Sequence, residues 1–316
     1  IVVIIWNVIE IKNIKNNMEI NMKKLLTILT PTYNRGEYLE NIFVSLQQQT
    51  NQNFEWIIVD DGSTDNTEKI VESFIKSDKL VIKYLYKKNG GKHTAVNYGL
   101  KYISTKLTVI LDSDDYFTND AVEVIEKTYN ENKNEKNICG FTFLKRRRNG
   151  ELFGSEFPRE GRYNFSKWRL SKVVTDERCD VFYSDVMKNY PFSEYEGEKY
   201  IGESTMMIKM SSRYDMICKN IAIYIADYLE GGLTDNSRKL RLHSLLGGME
   251  YCNVSMVSGI YWRRRLKSAL LYDTYGFLMN IKPKKLINDS NAPLLTTIFY
   301  PISIIIGKYW KNKYKL

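Results

Sequence analysis

The sequence predicts an α/β fold: a mostly parallel, doubly wound central sheet flanked by helices. Two patterns carry this. Between residues 25 and 130, short β-rich apolar runs alternate with longer segments whose apolar residues recur every three or four positions. Acidic clusters, Asp60-Asp61 and Asp112–Asp115, follow the second and fourth runs. With 26% charged and 43% hydrophobic residues, the 316-residue composition is that of a globular chain and not a disordered one.

The first strand is Leu25–Leu29, bounded by Pro31, and the helix after it stacks Leu39, Ile42, Phe43 and Leu46 on one face. Phe54–Val59 is the second strand. Asp61-Gly-Ser-Thr-Asp65 turns into a helix striped by Ile70, Val71, Phe74 and Ile75, with Ser63 or Thr64 as its expected N-cap. Leu80–Tyr86 is the third strand, and a helix over about residues 92–103 buries Ala95, Val96, Gly99 and Leu100. Leu107–Leu111 is the fourth strand, followed by a helix from about Asn119. Beyond Ile138 the pattern changes. Ile138–Leu144, the Asn149-Gly150 turn and Leu152-Phe153 read as a β-hairpin. Residues 155–250 read as mixed, and the chain from Tyr261 as partly helical.

Charge is unevenly placed. Residues 255–316 hold 11 Lys+Arg against 2 Asp+Glu, which accounts for the whole net charge of +9. A neutral body with a basic end argues against a uniformly basic nucleic-acid binder. Lys145–Arg148 reads as a solvated hairpin end, without the aromatic platform that single-stranded nucleic acid needs. The later cations are interleaved with Trp262, Tyr272, Tyr275, Phe299, Tyr309 and Trp310. That combination suits an anionic membrane surface, the alternative being packed helices with a basic outer face. The apolar stretch Pro293–Ile306 is too short to span a bilayer and is broken by Pro301. Cys139, Cys179, Cys218 and Cys252 form no Cys-x-x-Cys pair, and with only His93 and His243 beside them they suggest reduced thiols rather than a zinc site. Residues 1–21 lack a basic n-region and a small-residue cleavage site, and are expected to be a poorly ordered extension.

In a doubly wound sheet, ligands bind beyond the carboxyl ends of the strands, where both acidic clusters fall. Should strand geometry persist past Leu111, Asp112 and Asp114 point to one side. Converging carboxylates repel one another, and Mg²⁺ or Mn²⁺ with substrate phosphate oxygens resolves that repulsion. A helix start decorated with acids is the plainer reading of either cluster alone. The first strand is not followed by Gly-x-Gly-x-x-Gly, and Gly91-Lys92 runs into His93, so neither a dinucleotide-dependent dehydrogenase nor a P-loop NTPase is indicated.

Leu29-Thr-Pro-Thr-Tyr-Asn-Arg35, Val59-Asp-Asp-Gly-Ser-Thr-Asp65, Asn89-Gly-Gly-Lys92 with Asn97, and Leu111-Asp-Ser-Asp-Asp115 together resemble the family 2 glycosyltransferases of GT-A fold, in order and spacing over about residues 24–130. The likeness is closest to bacterial enzymes of surface-polysaccharide synthesis. It implies a nucleotide-sugar-binding half over residues 22–135, an acceptor-binding half over 136–254 and a basic helical region over 255–316. It also implies an inverting transfer from a nucleoside-diphosphate sugar, UDP-linked by expectation, to a lipid-linked glycan at the inner face of the cell membrane.

By this resemblance, Pro31, Thr32 and Tyr33 line the base and ribose pocket with Arg35 close by, and Asp61 accepts a hydrogen bond from the base. Asp112 and Ser113 face the ribose, Asp114 holds the metal with Asp112, and Asp115 supports or caps. Lys92 adds positive charge near the phosphates, or is a solvated helix-start lysine. An acid before a helix start in the second half serves as general base. Glu203 fits, with Glu198 as runner-up, although Met206-Met207 stand where the family has an aromatic. Asp227–Thr234 also matches a recurring acceptor-side stretch, and His93 lies in a motif while reading as structural. Two other classes compete. A sugar nucleotidyltransferase would need a Gly-rich loop where Pro31–Arg35 stands, and a non-catalytic binding protein would not need the acidic clusters intact.

Overall fold

A computed structural model describes residues 24–170, 177–226, 237–257 and 260–315. The expected extension, residues 1–21, and the Asp227–Thr234 stretch lie outside the described residues.

Among the described residues nine strands form one sheet; from edge to edge run residues 82–86, 54–60, 26–32, 107–110, 178–183, 138–146, 215–225 and 116–117, with 161–163 paired to 215–225. The first four are β1 (Leu26–Thr32), β2 (Phe54–Asp60), β3 (Ile82–Tyr86) and β4 (Leu107–Ile110), all mutually parallel. The helices between them are α1 (Gly36–Gln47), α2 (Thr67–Lys76) and α3 (Lys92–Leu100), and α4 (Ala121–Asn132) follows the short β5 (Tyr116–Phe117). Both faces of this parallel part are buried, so its strands read as continuous apolar runs. The pleat divides them. Leu26, Ile28, Trp56, Ile58, Leu107 and Val109 pack with Leu39, Ile42, Leu46, Val71 and Ile125 from α1, α2 and α4. Leu29, Ile57 and Val59 pack with Ala95, Val96 and Leu100 from α3 on the other face.

The second half is mixed, as expected. β6 (Ile138–Arg146), β7 (Gly161–Tyr163), β8 (Arg178–Tyr183) and β9 (Asp215–Ile225) surround the short helices α5 (Phe165–Trp168), α6 (Ser184–Lys188) and α7 (Ser204–Met210). β8 is antiparallel to both β4 and β6, while β6 and β9 run parallel with three register irregularities. The expected hairpin shrinks to one bridge, Arg146 to Leu152, because β6 spends its ladder on β8 and β9.

The remaining helices are α8 (Ser237–Leu242), α9 (Leu245–Val254), α10 (Trp262–Leu278), α11 (Pro283–Asp289) and α12 (Pro293–Tyr314). Met249, Cys252 and Met256 pack with Ala269, Tyr272, Tyr275, Leu278 and Leu286 in one cluster, joined by Phe299, Tyr300 and Trp310. This cluster crosses the boundary expected at 254/255, and most aromatics read as surface anchors point into it. The four cysteines are free and buried.

Candidate active site

β1, β2 and β4 end on the same edge of the sheet. Thr32 is in register with Asp60, and Asp60 with Tyr86. The chain therefore leaves β1 into Tyr33–Arg35, β2 into Asp61–Asp65 and β4 into Asp112–Asp115 along one line.

The acidic segment after β4 is a turn, not an extension of the strand. Leu111 still donates to Leu29 O, but Asp115 N then donates back to Asp112 O at 3.1 Å. Strand alternation thus does not aim Asp112 and Asp114; the turn does, and each meets a different cation. Lys92 Nζ lies 2.5 Å from Asp112 Oδ1 and 2.6 Å from Glu203 Oε1. Arg35 Nη1 donates to Asp114 Oδ2 at 3.2 Å, with its guanidinium 5.2 Å from the Tyr38 ring centre. Lys92 is therefore a bridge between the acidic turn and the second half, not a solvated helix-start lysine. Ser113 sits half-buried in the turn.

Asp115 is buried behind them. Tyr224 donates its hydroxyl to Asp115 Oδ2 at 2.8 Å and accepts from Asp112 N at 3.1 Å. Burial, reinforced by Asp112, pushes the Asp115 carboxyl up to about 7. Burial and Asp112 also raise Asp114, against the pull of Arg35. At Asp112 burial works upward too, but Lys92 and Lys145 outweigh it and hold the carboxyl below its usual range. Burial disfavours the Lys92 ammonium, yet Asp112 and Glu203 overcome this and hold it firmly charged.

Lys145 was expected in solvent. It is buried instead, its ammonium 4.1 Å from the Tyr224 ring centre and 3.6 Å from Glu177. β6 carries it inward as the next inward-facing residue after Phe141 and Phe143. A cavity of about 40 Å³ lies between Asp112, Lys145, Asp180, Glu203, Met207 and Tyr224. Met206 and Met207 are buried core residues at the start of α7.

The two candidate bases differ in their surroundings. Glu203 precedes α7, makes no capping bond to it, and turns its carboxylate to Lys92. Glu198 accepts from Leu246 N at 2.7 Å and Gly247 N at 2.8 Å, so it caps the first turn of α9. The structure brings Glu203, not Glu198, to Asp112.

Asp61 is engaged by its own chain. Its Oδ1 accepts from Lys87 Nζ at 2.6 Å and Gly90 N at 2.9 Å, and its Oδ2 from Asn89 Nδ2 at 3.2 Å and Gly91 N at 2.7 Å. These four contacts engage the roughly four lone-pair sites of the carboxylate. Asp61 clasps the 87–91 loop, which ends at Lys92. Gly91 closes that loop at φ 96°, and an added Cβ would stand 2.1 Å from Lys199 O. The first half thus touches the 196–203 segment backbone to backbone. Asn97 strengthens the contact by donating to Phe192 O and Glu194 Oε1 and accepting from Phe192 N.

Around the β1 exit, Pro31 and Thr32 are buried and Tyr33 is exposed. Asn34 N donates to Ser63 Oγ, and Asn34 Oδ1 accepts from Thr64 N, tying the first two exits together. Ser63 and Thr64 are consequently not the cap of α2. Asp65 accepts from Thr67 N and Thr67 Oγ1 there. His93 is buried with its ring edge-on to Phe192, and burial lowers its proton affinity, as suits a core imidazole.

Chemically, the edge is a negative cluster already engaged by two cationic side chains, with a further carboxylate opposite. Among the described residues no three His, Cys, Asp or Glu side chains gather as a complete metal set. Asp112 and Asp114 are the carboxylates of this edge that could hold a divalent cation drawing its other ligands from a diphosphate, in place of their present pairing with Lys92 and Arg35. Lys87 and Tyr224 went unnoticed in the sequence, and Lys145 was read as solvated. A lysine directly after β3 at the ligand edge, and one in register with inward aromatics on β6, were the available signals.

Residues 27–182 match the family model described as Glycosyl transferase family 2. The putative teichuronic acid biosynthesis glycosyltransferase TuaG of Bacillus subtilis is 35% identical over 103 residues, 33% of this chain and 41% of that protein. An uncharacterized glycosyltransferase of Rickettsia conorii is 40% identical over 107 residues, 34% of this chain and 17% of that protein. The chain thus covers well under two thirds of these relatives' length. Among solved structures, Staphylococcus aureus TarS 1-349 with UDP-GlcNAc superposes with a TM-score of 0.60 at 17% identity, covering 92% of both chains. The mannosyltransferase PcManGT of Pyrobaculum calidifontis with GDP-Man and Mn²⁺ gives a TM-score of 0.54 at 16% identity, over 92% of this chain and 88% of that one. Residues 27–182 therefore carry a family 2 glycosyltransferase segment, and the described chain shares the GT-A fold of these neighbours.

Proposed function

We propose that the chain transfers a sugar, with inversion, from a UDP-sugar to a hydroxyl of a lipid-linked glycan at the inner face of the cell membrane. One observation carries the reading: Lys92 joins Asp112 of the acidic turn to Glu203 of the second half, at the carboxyl edge of the parallel strands. On this reading donor and acceptor groups meet at one point. TuaG, named for teichuronic acid synthesis, and the fold neighbours with UDP-GlcNAc and GDP-Man agree with a nucleotide-sugar donor and a surface-polysaccharide product.

The donor's base and ribose enter between Pro31–Tyr33 and the 87–91 loop that Asp61 fixes. Arg35 and Lys92 take the diphosphate as they leave Asp114 and Asp112. Asp112 and Asp114 would hold Mg²⁺ or Mn²⁺, which when bound neutralises charge on the departing nucleoside diphosphate. Glu203 accepts the proton of the acceptor hydroxyl as its oxygen bonds to the anomeric carbon, and the bond from that carbon to the diphosphate breaks. Attack from the face opposite the leaving group inverts the anomeric centre.

The test is calorimetric titration of UDP and UDP-sugars with and without Mn²⁺, on the chain and on Asp114→Ala. Metal-dependent binding that Asp114→Ala abolishes, at unchanged melting temperature, is the expected result. Equal, metal-independent binding by both proteins would remove Asp114 from the site.

A further inference from the structure

α12 has 22 residues but buries only Thr296, Ser303 and Gly307, which are small and allow close approach to α10. Ser303 Oγ donates to Leu270 O, and an added Cβ at Gly307 would meet the Phe277 ring. The opposite side carries Leu294, Ile298, Ile302, Ile305 and Tyr309, each between 46% and 73% exposed. Their spacing of four, four, three and four residues keeps them in one line. At about 1.5 Å per residue the line runs about 22 Å. Five large apolar side chains aligned in solvent mark an interaction surface rather than chance exposure.

Charge says what covers it. α12 contains no Asp or Glu, and no charged residue at all from Pro293 to Gly307; Lys308, Lys311, Lys313 and Lys315 then follow. A second copy docked on this face supplies no counter-charge. Parallel helices would set lysines against lysines, and antiparallel helices would set them against an uncharged end. Anionic lipid headgroups supply counter-charge to the lysine end, and the acyl boundary beneath them takes the uncharged stripe. No helix among the described residues is long and apolar enough to cross a membrane.

We propose that α12 lies along an anionic lipid surface, its Leu294–Ile305 stripe in the headgroup–acyl boundary and its lysine end against lipid phosphates. Such helices sink about 5–10 Å and bind through apolar area and charge together. The surface differs from the one the sequence suggested, since Tyr272, Tyr275 and Trp310 are spent on packing. It deepens the membrane-side reading of function but stands on α12 alone, whether or not sugar transfer is right.

Flotation of the full chain with phosphatidylcholine vesicles, with and without phosphatidylglycerol, tests it against Ile298→Asp/Ile305→Asp and Lys308→Glu/Lys311→Glu. UDP binding and size-exclusion behaviour of each protein are recorded alongside. Expected are flotation with phosphatidylglycerol vesicles only, weakened by salt, and at least about tenfold weaker binding for either variant, with UDP affinity intact. A wild-type chain that ignores anionic vesicles overturns the proposal, as does a double-aspartate variant that binds like wild type. A lipid-free dimer that the variant dissolves would show the face to be a self-contact instead. Loss of UDP binding in the wild type would strike the proposed enzymatic function and leave this surface untouched.

Discussion

Lys92 Nζ and Glu203 Oε1 meet at 2.6 Å across the two halves of the fold. The same ammonium is 2.5 Å from Asp112, so the proposed base faces the acidic turn through a single cation. In the proposed mechanism the donor's diphosphate would draw Lys92 away and free Glu203 to take a proton, which links donor binding to the readiness of the base.

Glu203→Gln should bind UDP as the wild type does and lose about 10²–10⁴-fold in turnover, the usual worth of a general base. Glu198→Gln should retain turnover and lose about 1 kcal/mol of stability, because it weakens the cap of α9. Transfer assays with melting curves on both variants decide the matter. A dead Glu198→Gln beside an active Glu203→Gln would reverse the assignment.

Asp61→Asn should lower the melting temperature before it touches nucleotide recognition. One of its oxygens becomes an NH₂ facing donors from the 87–91 loop, at a cost of about 1–3 kcal/mol. Were Asp61 a direct partner of the base, UDP affinity would drop with melting unchanged, and that outcome would refute the clasp.

Gly91→Ala combines a left-handed backbone with a Cβ placed 2.1 Å from Lys199 O. The strain alone costs about 1–3 kcal/mol, and relief requires the 196–203 segment to retreat, taking Glu203 from Lys92. Loss of both stability and transfer is expected. By contrast, Gly150→Ala should be strained only locally and keep activity, since nothing lies within 4 Å of its added Cβ. Urea melts and initial rates compare the pair.

Asp273 on α10 is fully buried, and neither carboxylate oxygen has a hydrogen-bond partner among the described residues. Burial pushes its carboxyl up to about 7 from an ordinary 3.8. The folded state therefore binds the proton more tightly than the unfolded one, and stability falls as pH rises from 3.8 through 7. Asp273→Asn removes that slope. Its advantage over wild type should grow by roughly 2–3 kcal/mol between pH 5 and pH 8, at about 1.4 kcal/mol per pH unit over the remaining window. Urea melts at the two pH values measure it, and parallel curves would show that Asp273 is solvated in solution.

The parallel half was legible because burial on both faces leaves uninterrupted apolar strands, and helices announce themselves through stripes such as Leu39, Ile42 and Leu46. β9 was not: its pairing with β6 slips register three times, which erases a clean period. Of the residues singled out by type and position, Arg35 pairs with Asp114, and Lys92 joins Asp112 to Glu203. The occupation of Asp61 by Lys87, and the burial of Lys145 against Tyr224 and Glu177, depend on residues distant in the chain. No local pattern encodes such partners.

β5 follows the acidic turn directly and is held in the sheet by β9, with Phe117 opposite Tyr224. On the ribosome, β1 to β4 emerge long before that partner exists. The edge that carries the candidate site is then the last part of the sheet to set, and a nascent chain halted at residue 182 should carry formed β1 and β2 beside an unfixed 112–117 segment. Hydrogen exchange on such a fragment should find protection in the first and rapid exchange in the second. The sheet would thus be assembled before its acidic turn is fixed.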